Sequence, residues 1–482
     1  MDGQRLHTET HPTHLEPQPQ RSPQPQQPSA ASTTGTASTT RRSAPATPTT
    51  ITAIRLTPIL VADPPLLNTQ GVHQPYTPRL IVEVTTAGGA TGLGETYGDT
   101  KYLDLARPLA DALTGRQVTD LNALPRLAAE VCGDSTAATG ADDVTAGGLR
   151  GVQTADKLRL SVLSGFEVAC LDAWGRLAGL PVHALLGGKV RDRVDYSAYL
   201  FYRWAGHPGG RGGPDEGGGP DDWGAALDPP GIVAQARRFR DTYGFRSFKL
   251  KGGVFEPAQE IAAVRALAAA FPGHPLRLDP NGAWSVPTSI EVARELQDVL
   301  EYLEDPTSTT AHMAEVAART DLPLATNMCV TTFAEIREAF TRDAVQVVLC
   351  DHHYWGGLRN TRELAAVCRA FGVGLSMHSN THLGISLAAM THVAATVPGL
   401  DHACDTHYPW QREDVLTERL AFTDGALPVS DAPGLGVTLD RDRLAALHER
   451  WLADDGTLRD RDDAAAMRAA DPEWVVPEVP RW

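Results

Sequence analysis

From about residue 245 to residue 407 the chain repeats one pattern, a short apolar run closing on a polar residue and followed by a stretch with helical spacing. The runs are FKLKGG, LRLDPNG, EYLEDP, LPLATN, VQVVLCDHH, VGLSMHSN and HACDTH, and they close on Lys251, Asp279, Glu304, Asn327, Asp351, His378 and Asp405. These closing residues are 23 to 28 positions apart, close to the roughly 30 residues of one β/α unit in a barrel of about 250 residues. Intervening segments such as SIEVARELQDVL and TRELAAVCRAF carry apolar residues at helical period. RVDYSAYLF, upstream, supplies an eighth strand, and eight strands alternating with helices predict a (β/α) barrel. Active sites of such barrels form at the C-terminal ends of the strands, so the closing residues should converge on one pocket.

The pattern differs upstream. Residues 1 to about 50 are rich in Pro, Gln, Ser and Thr and nearly empty of large apolar side chains, which predicts a disordered tail. His7, His11 and His14 lie in it and are given no role. From Ile51 onward, TAIRLTPILV and RLIVEVTTAGGATGLGE read as strands joined by a glycine-rich turn, with helical patterns from about Leu103, hence an α+β domain. The stretch HPGGRGGPDEGGGPDDWG, residues 207–224, cannot form a packed element and predicts a surface loop, a candidate lid or insertion.

Composition narrows the classes. A chain of 482 residues, 42% hydrophobic and 21% charged, has enough apolar surface for a large core. Its formal charge of -16 argues against a general affinity for nucleic acid or an anionic membrane. No apolar run reaches the length of a membrane span and no secretory core is evident, so a cytoplasmic location is expected. The six cysteines are scattered singly, without zinc or disulfide spacing, and are expected to be mostly buried thiols.

Lys249 and Lys251, at i and i+2 of a strand, share a face and would both point into the barrel mouth. Two amines so placed each lower the other's proton affinity, which suits a general base. Asp279, Glu304 and Asn327 end three successive strands and offer only oxygen donors, the set a hard cation such as Mg²⁺ prefers. His378 follows Asp351 by one β/α unit, so the carboxylate would fix the imidazole tautomer and raise its basicity. A lone K-x-K is commonly a solvated edge strand and a lone strand-end Asp a helix cap, so the residues by themselves leave structural and functional readings open.

These motifs, with FEVACLDAWGRLAGLPVHALLGG, LDPNGAWS, MHSNTH, DTHYPWQ, PGLGV and RDDA, resemble the enolase superfamily and, within it, the glucarate dehydratases, from about residue 55 to about 465. The resemblance implies an α/β chain, an enolase-type (β/α)7β barrel under an α+β N-terminal capping domain. The expected boundaries are a tail of 1–50, a cap of 51–165, a barrel of 166–430 and a C-terminal segment of 431–482 returning to the cap. It implies Mg²⁺ on Asp279, Glu304 and Asn327, with Lys251 as one base and His378 with Asp351 as the other. Lys249 and Asn281 correspond to contacts with the substrate carboxylate. His73, Thr154, Ser379, Asn380, His407 and Arg461 correspond to further substrate contacts.

Two local departures from the glucarate group stand out. The segment EDPTSTTAHMAEVAARTDLPLATN is short and carries no carboxylate soon after Pro306, which leaves Glu304 as the middle ligand, and SNTH stands where a second Asn is expected. The implied activity is Mg²⁺-dependent dehydration of a sugar diacid such as D-glucarate through an ene-diolate. The rivals are a dehydratase or epimerase of another acid sugar, a silent sugar-acid-binding relative, and a structural barrel without Mg²⁺ affinity. The expected partner is a small sugar acid, without nucleic acid or membrane, and a homo-oligomer is the expected assembly.

Overall fold

A computed structural model describes residues 46–132, 155–208 and 221–482. The N-terminal tail to residue 45, Thr154 and most of the 207–224 loop lie outside the described residues. Described residues from Ala46 to Trp482 form one compact unit.

Three antiparallel strands open it: β1 (Ile51–Ala62), β2 (Tyr76–Thr86) and β3 (Thr91–Tyr97), in the order β1-β2-β3. Their inner face is closed by a 24-residue helix, Ala155–Ala178, which is buried nearly all round. Glycines in β3 make this contact possible. A Cβ on Gly92 would stand 2.0 Å from the carbonyl oxygen of Ala169, and one on Gly94 would stand 1.9 Å from that of Gly165. Glycines inside a strand commonly mark such close backbone approach. The helix runs unbroken through the boundary expected at 165/166, so cap and barrel share this element and meet at no linker there.

The barrel follows as eight parallel strands: β4 (Arg193–Phe201), β5 (Phe248–Lys251), β6 (Leu276–Asp279), β7 (Leu300–Glu304), β8 (Leu324–Thr326), β9 (Val347–Cys350), β10 (Gly374–Met377) and β11 (Cys404–Thr406). Each of β4 to β9 pairs with the next in sequence, and β11 pairs with β4. A parallel bridge between Leu375 and Leu400 and a hydrogen bond from Ser376 Oγ to the Ala403 carbonyl join β10 to the β11 approach. A helix connects each consecutive pair, which gives the (β/α)7β architecture.

The returning C-terminal segment packs helix Arg441–Ala453 on β1 and places helix Asp463–Ala470 over Gly71, where a Cβ would stand 2.1 Å from Met467 Cγ. Cap and barrel are further tied by Glu95 of β3. Its carboxylate accepts from Arg79 and from the backbone amides of Leu383 and Ser386, at the start of barrel helix Gly384–Ala395. Acids at a helix N-terminus meet the unsatisfied amides of its first turn.

Cys170, Cys329, Cys350, Cys368 and Cys404 are free and buried. None of the helices among the described residues is long and apolar enough to cross a membrane.

Candidate active site

The strand ends bring Lys249, Lys251, Asp279, Glu304 and Asp405 into one buried ionic cluster. Lys249 Nζ donates to Glu304 Oε1 at 2.5 Å and Asp405 Oδ2 at 2.7 Å, lies 3.5 Å from Asp279 Oδ2, and sits 4.6 Å from the centre of the Tyr199 ring. Lys251 Nζ donates to Asp279 Oδ2 at 2.7 Å and Asn281 Oδ1 at 2.8 Å. Asn281 takes a left-handed backbone (φ 55°), and its own amide donates back to Asp279 Oδ1. Asn tolerates this region better than most residues, so the turn after β6 aims the amide at the lysine.

The expected mutual depression of the two amines does not hold at Lys249. Burial opposes its ammonium form, but Asp405 and Glu304 outweigh burial and hold it well above the usual lysine range. Lys249 is therefore a fixed positive charge. Glu304 shows the opposite side of this balance. Burial, then Asp279, push its carboxyl well above the usual range, and Oε2 is buried without a hydrogen-bond partner among the described residues.

The cluster suits a hard divalent cation. Asp279, Glu304 and Asn327 present oxygen donors from neighbouring strand ends, and Asn327 Nδ2 lies 3.3 Å from Glu304 Oε1. Asp279, Glu304, Asp305 and Asp405 crowd four carboxyl groups into this region, and their burial beside one another raises those of Glu304 and Asp305, a cost that a bound dication would relieve. Asp305, unremarked in the sequence, fixes the third donor: it accepts from Thr326 Oγ1 at 2.5 Å and from the Asn327 amide at 2.9 Å. Burial raises its carboxyl to about 7.

Across the barrel mouth, His378 Nδ1 lies 3.2 Å from Asp351 Oδ2, which leaves Nε2 as the outward nitrogen. The expected gain in basicity is reversed: burial lowers His378, and Asp351 only partly offsets it. The imidazole is thus held in its neutral, proton-accepting form. Asp351 also holds His353 Nδ1 at 2.9 Å and lies 3.6 Å from His382 Nε2. Both histidines escaped the sequence reading, although HH in DHHYW and the last residue of SNTH were their only signal.

Ser379 and Asn380 follow His378 in a buried loop. Ser379 Oγ donates to the Asn380 carbonyl, and Asn380 Oδ1 accepts from the amide and hydroxyl of Thr381. The threonine standing where a second Asn is expected therefore holds the first one.

A second polar group lies where cap, barrel and C-terminal segment meet. His73 and His407 stack at 6.1 Å with an interplanar angle of 13°. Arg461 Nη1 lies 3.4 Å from Asp63 Oδ2, and Nε donates to Asp463 Oδ1 at 3.2 Å. His407 Nδ1 is 3.3 Å from Gln411 Nε2, and burial lowers the ring to about 3, so it is neutral. Neither Tyr199, Asp405 nor Asp63 was singled out as a site residue from sequence. Asp405 closes a repeat and was visible there, whereas Tyr199 sits inside an ordinary apolar run.

Residues 231–443 match the model for the enolase C-terminal domain-like family. Over 433 residues, 90% of this chain and 99% of the relative, the sequence is 77% identical to a probable glucarate dehydratase of Streptomyces coelicolor. A crystal structure of an enolase from Thermobispora bispora, complexed with magnesium and formate, superposes with a TM-score of 0.83 at 53% identity, covering 90% of this chain and 100% of that one. Another, from Pseudomonas fluorescens with bound magnesium, potassium and tartrate, gives 0.84 at 47% identity, covering 90% and 99%. The chain belongs to the enolase superfamily, and to its dehydratases, which are hydro-lyases.

Proposed function

We propose that this hydro-lyase removes water from a sugar diacid, D-glucarate first among them, to give 5-dehydro-4-deoxy-D-glucarate. The observation that carries the reading is the pair of unlike bases, Lys251 and a neutral His378 held by the Asp351 carboxylate, on opposite sides of one oxygen-rich cluster. Asp279, Glu304 and Asn327 would hold Mg²⁺, which when bound lowers the cost of gathering two negative charges on one carboxyl group. The structures with bound magnesium and the 77% identical probable glucarate dehydratase support this choice.

Lys249, fixed as an ammonium by Asp405 and Glu304, supplies a permanent charge beside that carboxyl group. Lys251 or His378, according to the face presented, takes the α-proton and leaves an ene-diolate. The β-carbon–oxygen bond then breaks, and the departing hydroxyl takes a proton from a protonated base and leaves as water. The resulting enol becomes the keto acid by tautomerisation. Asn281 holds Lys251 in place for this transfer. His73, Ser379, Asn380, His407 and Arg461 would hold the rest of the substrate, and Thr154 is assigned to the same group from sequence.

The test is a screen of purified protein with Mg²⁺ against mono- and dicarboxylic sugar acids, read by keto-acid formation. Dehydration of glucarate that stops on chelation and returns with Mg²⁺ is the expected result. Activity that survives exhaustive chelation, or no turnover of any diacid, overturns the reading.

A further inference from the structure

Asp63 stands in the cap, one residue beyond the end of β1, with its side chain fully buried. Its Oδ2 accepts from Thr77 Oγ1 at 2.7 Å, lies 3.2 Å from His73 Nδ1 and 3.4 Å from Arg461 Nη1. The backbone carbonyl of the same residue lies 2.7 Å from His207 Nε2, at the base of the glycine-rich loop. One residue therefore joins the cap, its own hairpin, a barrel loop and the returning C-terminal segment.

The nitrogens that Asp63 does not hold are informative. His73 Nε2 and Arg461 Nη2 are buried and have no hydrogen-bond partner among the described residues, and the same is true of His407 Nε2 beside them. Buried polar groups are nearly always satisfied by protein, water or ligand, and Arg461 Nη2 is the certain donor of the three, since a neutral ring that gives Nδ1–H to Asp63 presents Nε2 as an acceptor. In both His73 and Arg461, one nitrogen is tied to the carboxylate and another is left over. A ligand atom from each of Asp63, His73 and His407 lies within 4.8 Å of the others. A cation at this point would face the Arg461 guanidinium, so the group suits an acidic or polar ligand end rather than a metal.

We propose that Asp63 is a positioning residue for substrate selectivity: it orients Arg461, with the His73 ring fixed beside it, so that the free Nη2 of the guanidinium recognises a distal carboxylate. The inference rests on the sugar-acid reading above and adds the residue that makes the site prefer a diacid. Burial alone would raise the Asp63 carboxyl, but His73 and Arg461 hold it below the usual range, so it stays charged in this role. Its neutral amide analogue would keep the shape while losing the charge on which both partners are oriented.

The experiment compares wild type and Asp63→Asn, both with Mg²⁺, on D-glucarate and on L-gulonate, which keeps the carboxylate beside the reacting carbon and has a hydroxymethyl group in place of the distal one. Loss of charge-assisted bonds of this kind should weaken glucarate binding by about 10- to 100-fold. The loss should appear in KM far more than in kcat, and L-gulonate binding by calorimetry should change less than about threefold. A purely structural role would depress both acids equally, and that result overturns the inference. If Asp63→Asn does not fold, Thr77→Val, which removes the hydroxyl joining Asp63 to Arg461, should give the same selective loss to a smaller extent; an equal loss on both acids again overturns it. Calorimetry separates the two claims. Glucarate that binds selectively through Asp63 without being turned over sinks the proposed reaction alone, and turnover with no selective effect sinks the role of Asp63 alone.

Discussion

Glu260 gives the sharpest test of the electrostatics around the lysine strand. Its buried carboxylate accepts from the amides of Gly253, Val254 and Phe255, at 3.0, 2.9 and 3.1 Å, and so clamps the loop that follows Lys251. Burial nevertheless raises it from 4.5 to about 7, the three amides offsetting only part of the cost. A group raised on folding stabilises the protein fully below its unfolded value, and that contribution is lost as pH rises through the folded value. The interval is 7 minus 4.5, about 2.5 pH units, which at 1.36 kcal/mol per unit is about 3 kcal/mol. Glu260→Gln keeps the shape but does not titrate. The stability of wild type minus that of the variant should therefore fall by about 3 kcal/mol between pH 4.5 and pH 8. Urea unfolding followed by tryptophan fluorescence, with chelator present, measures this difference while other titrating groups cancel. A difference that is flat with pH, or that grows in favour of wild type, would refute the account of the clamp.

Three other outcomes follow from the site and the packing. Lys251→Ala should abolish solvent deuterium exchange at the α-carbon of one substrate epimer and spare the other, and His378→Asn should do the reverse, each by about 10²- to 10⁴-fold; equal loss on both epimers removes the two-base assignment. Asp351→Asn leaves the His378 ring without its carboxylate at 3.2 Å, so it should lose exchange on the same epimer as His378→Asn, and a variant with normal exchange would remove the dyad. Gly94→Ala would drive a methyl against the Gly165 carbonyl and should cost at least the 1–3 kcal/mol typical of overpacking; an unchanged melting temperature would show that the helix can shift at little cost.

The barrel was legible because its strands are short and each ends on chemistry. Lys251, Asp279 and Glu304 are the last residues of β5, β6 and β7, and Asn327, Asp351 and His378 each follow their strand by one position. The spacing of polar residues therefore carried both register and site. Charge balance was not legible. The lysine pair looks self-repelling in one dimension, and only the fold brings Asp405 from more than 150 residues away to 2.7 Å from Lys249. Arg461 is more remote still from Asp63 and His73 in sequence, and no periodicity marks residues that meet where three segments cross. Nor does the sequence mark why Gly92 and Gly94 stand inside β3, where what excludes a side chain is a helix more than 70 residues downstream.

The shared helix Ala155–Ala178 bears on how this enzyme can be re-engineered. Grafting a relative's cap to change substrate scope by cutting near residue 165 would sever a buried helix in mid-course and separate Gly94 from its partner carbonyl. A workable chimera would exchange the strands, the entire helix and the segment from Arg441 to Ala470 as a set, since the last packs on β1 and carries Arg461. The interchangeable piece is thus discontinuous in the gene, and recombination with a single crossover should yield few folded hybrids.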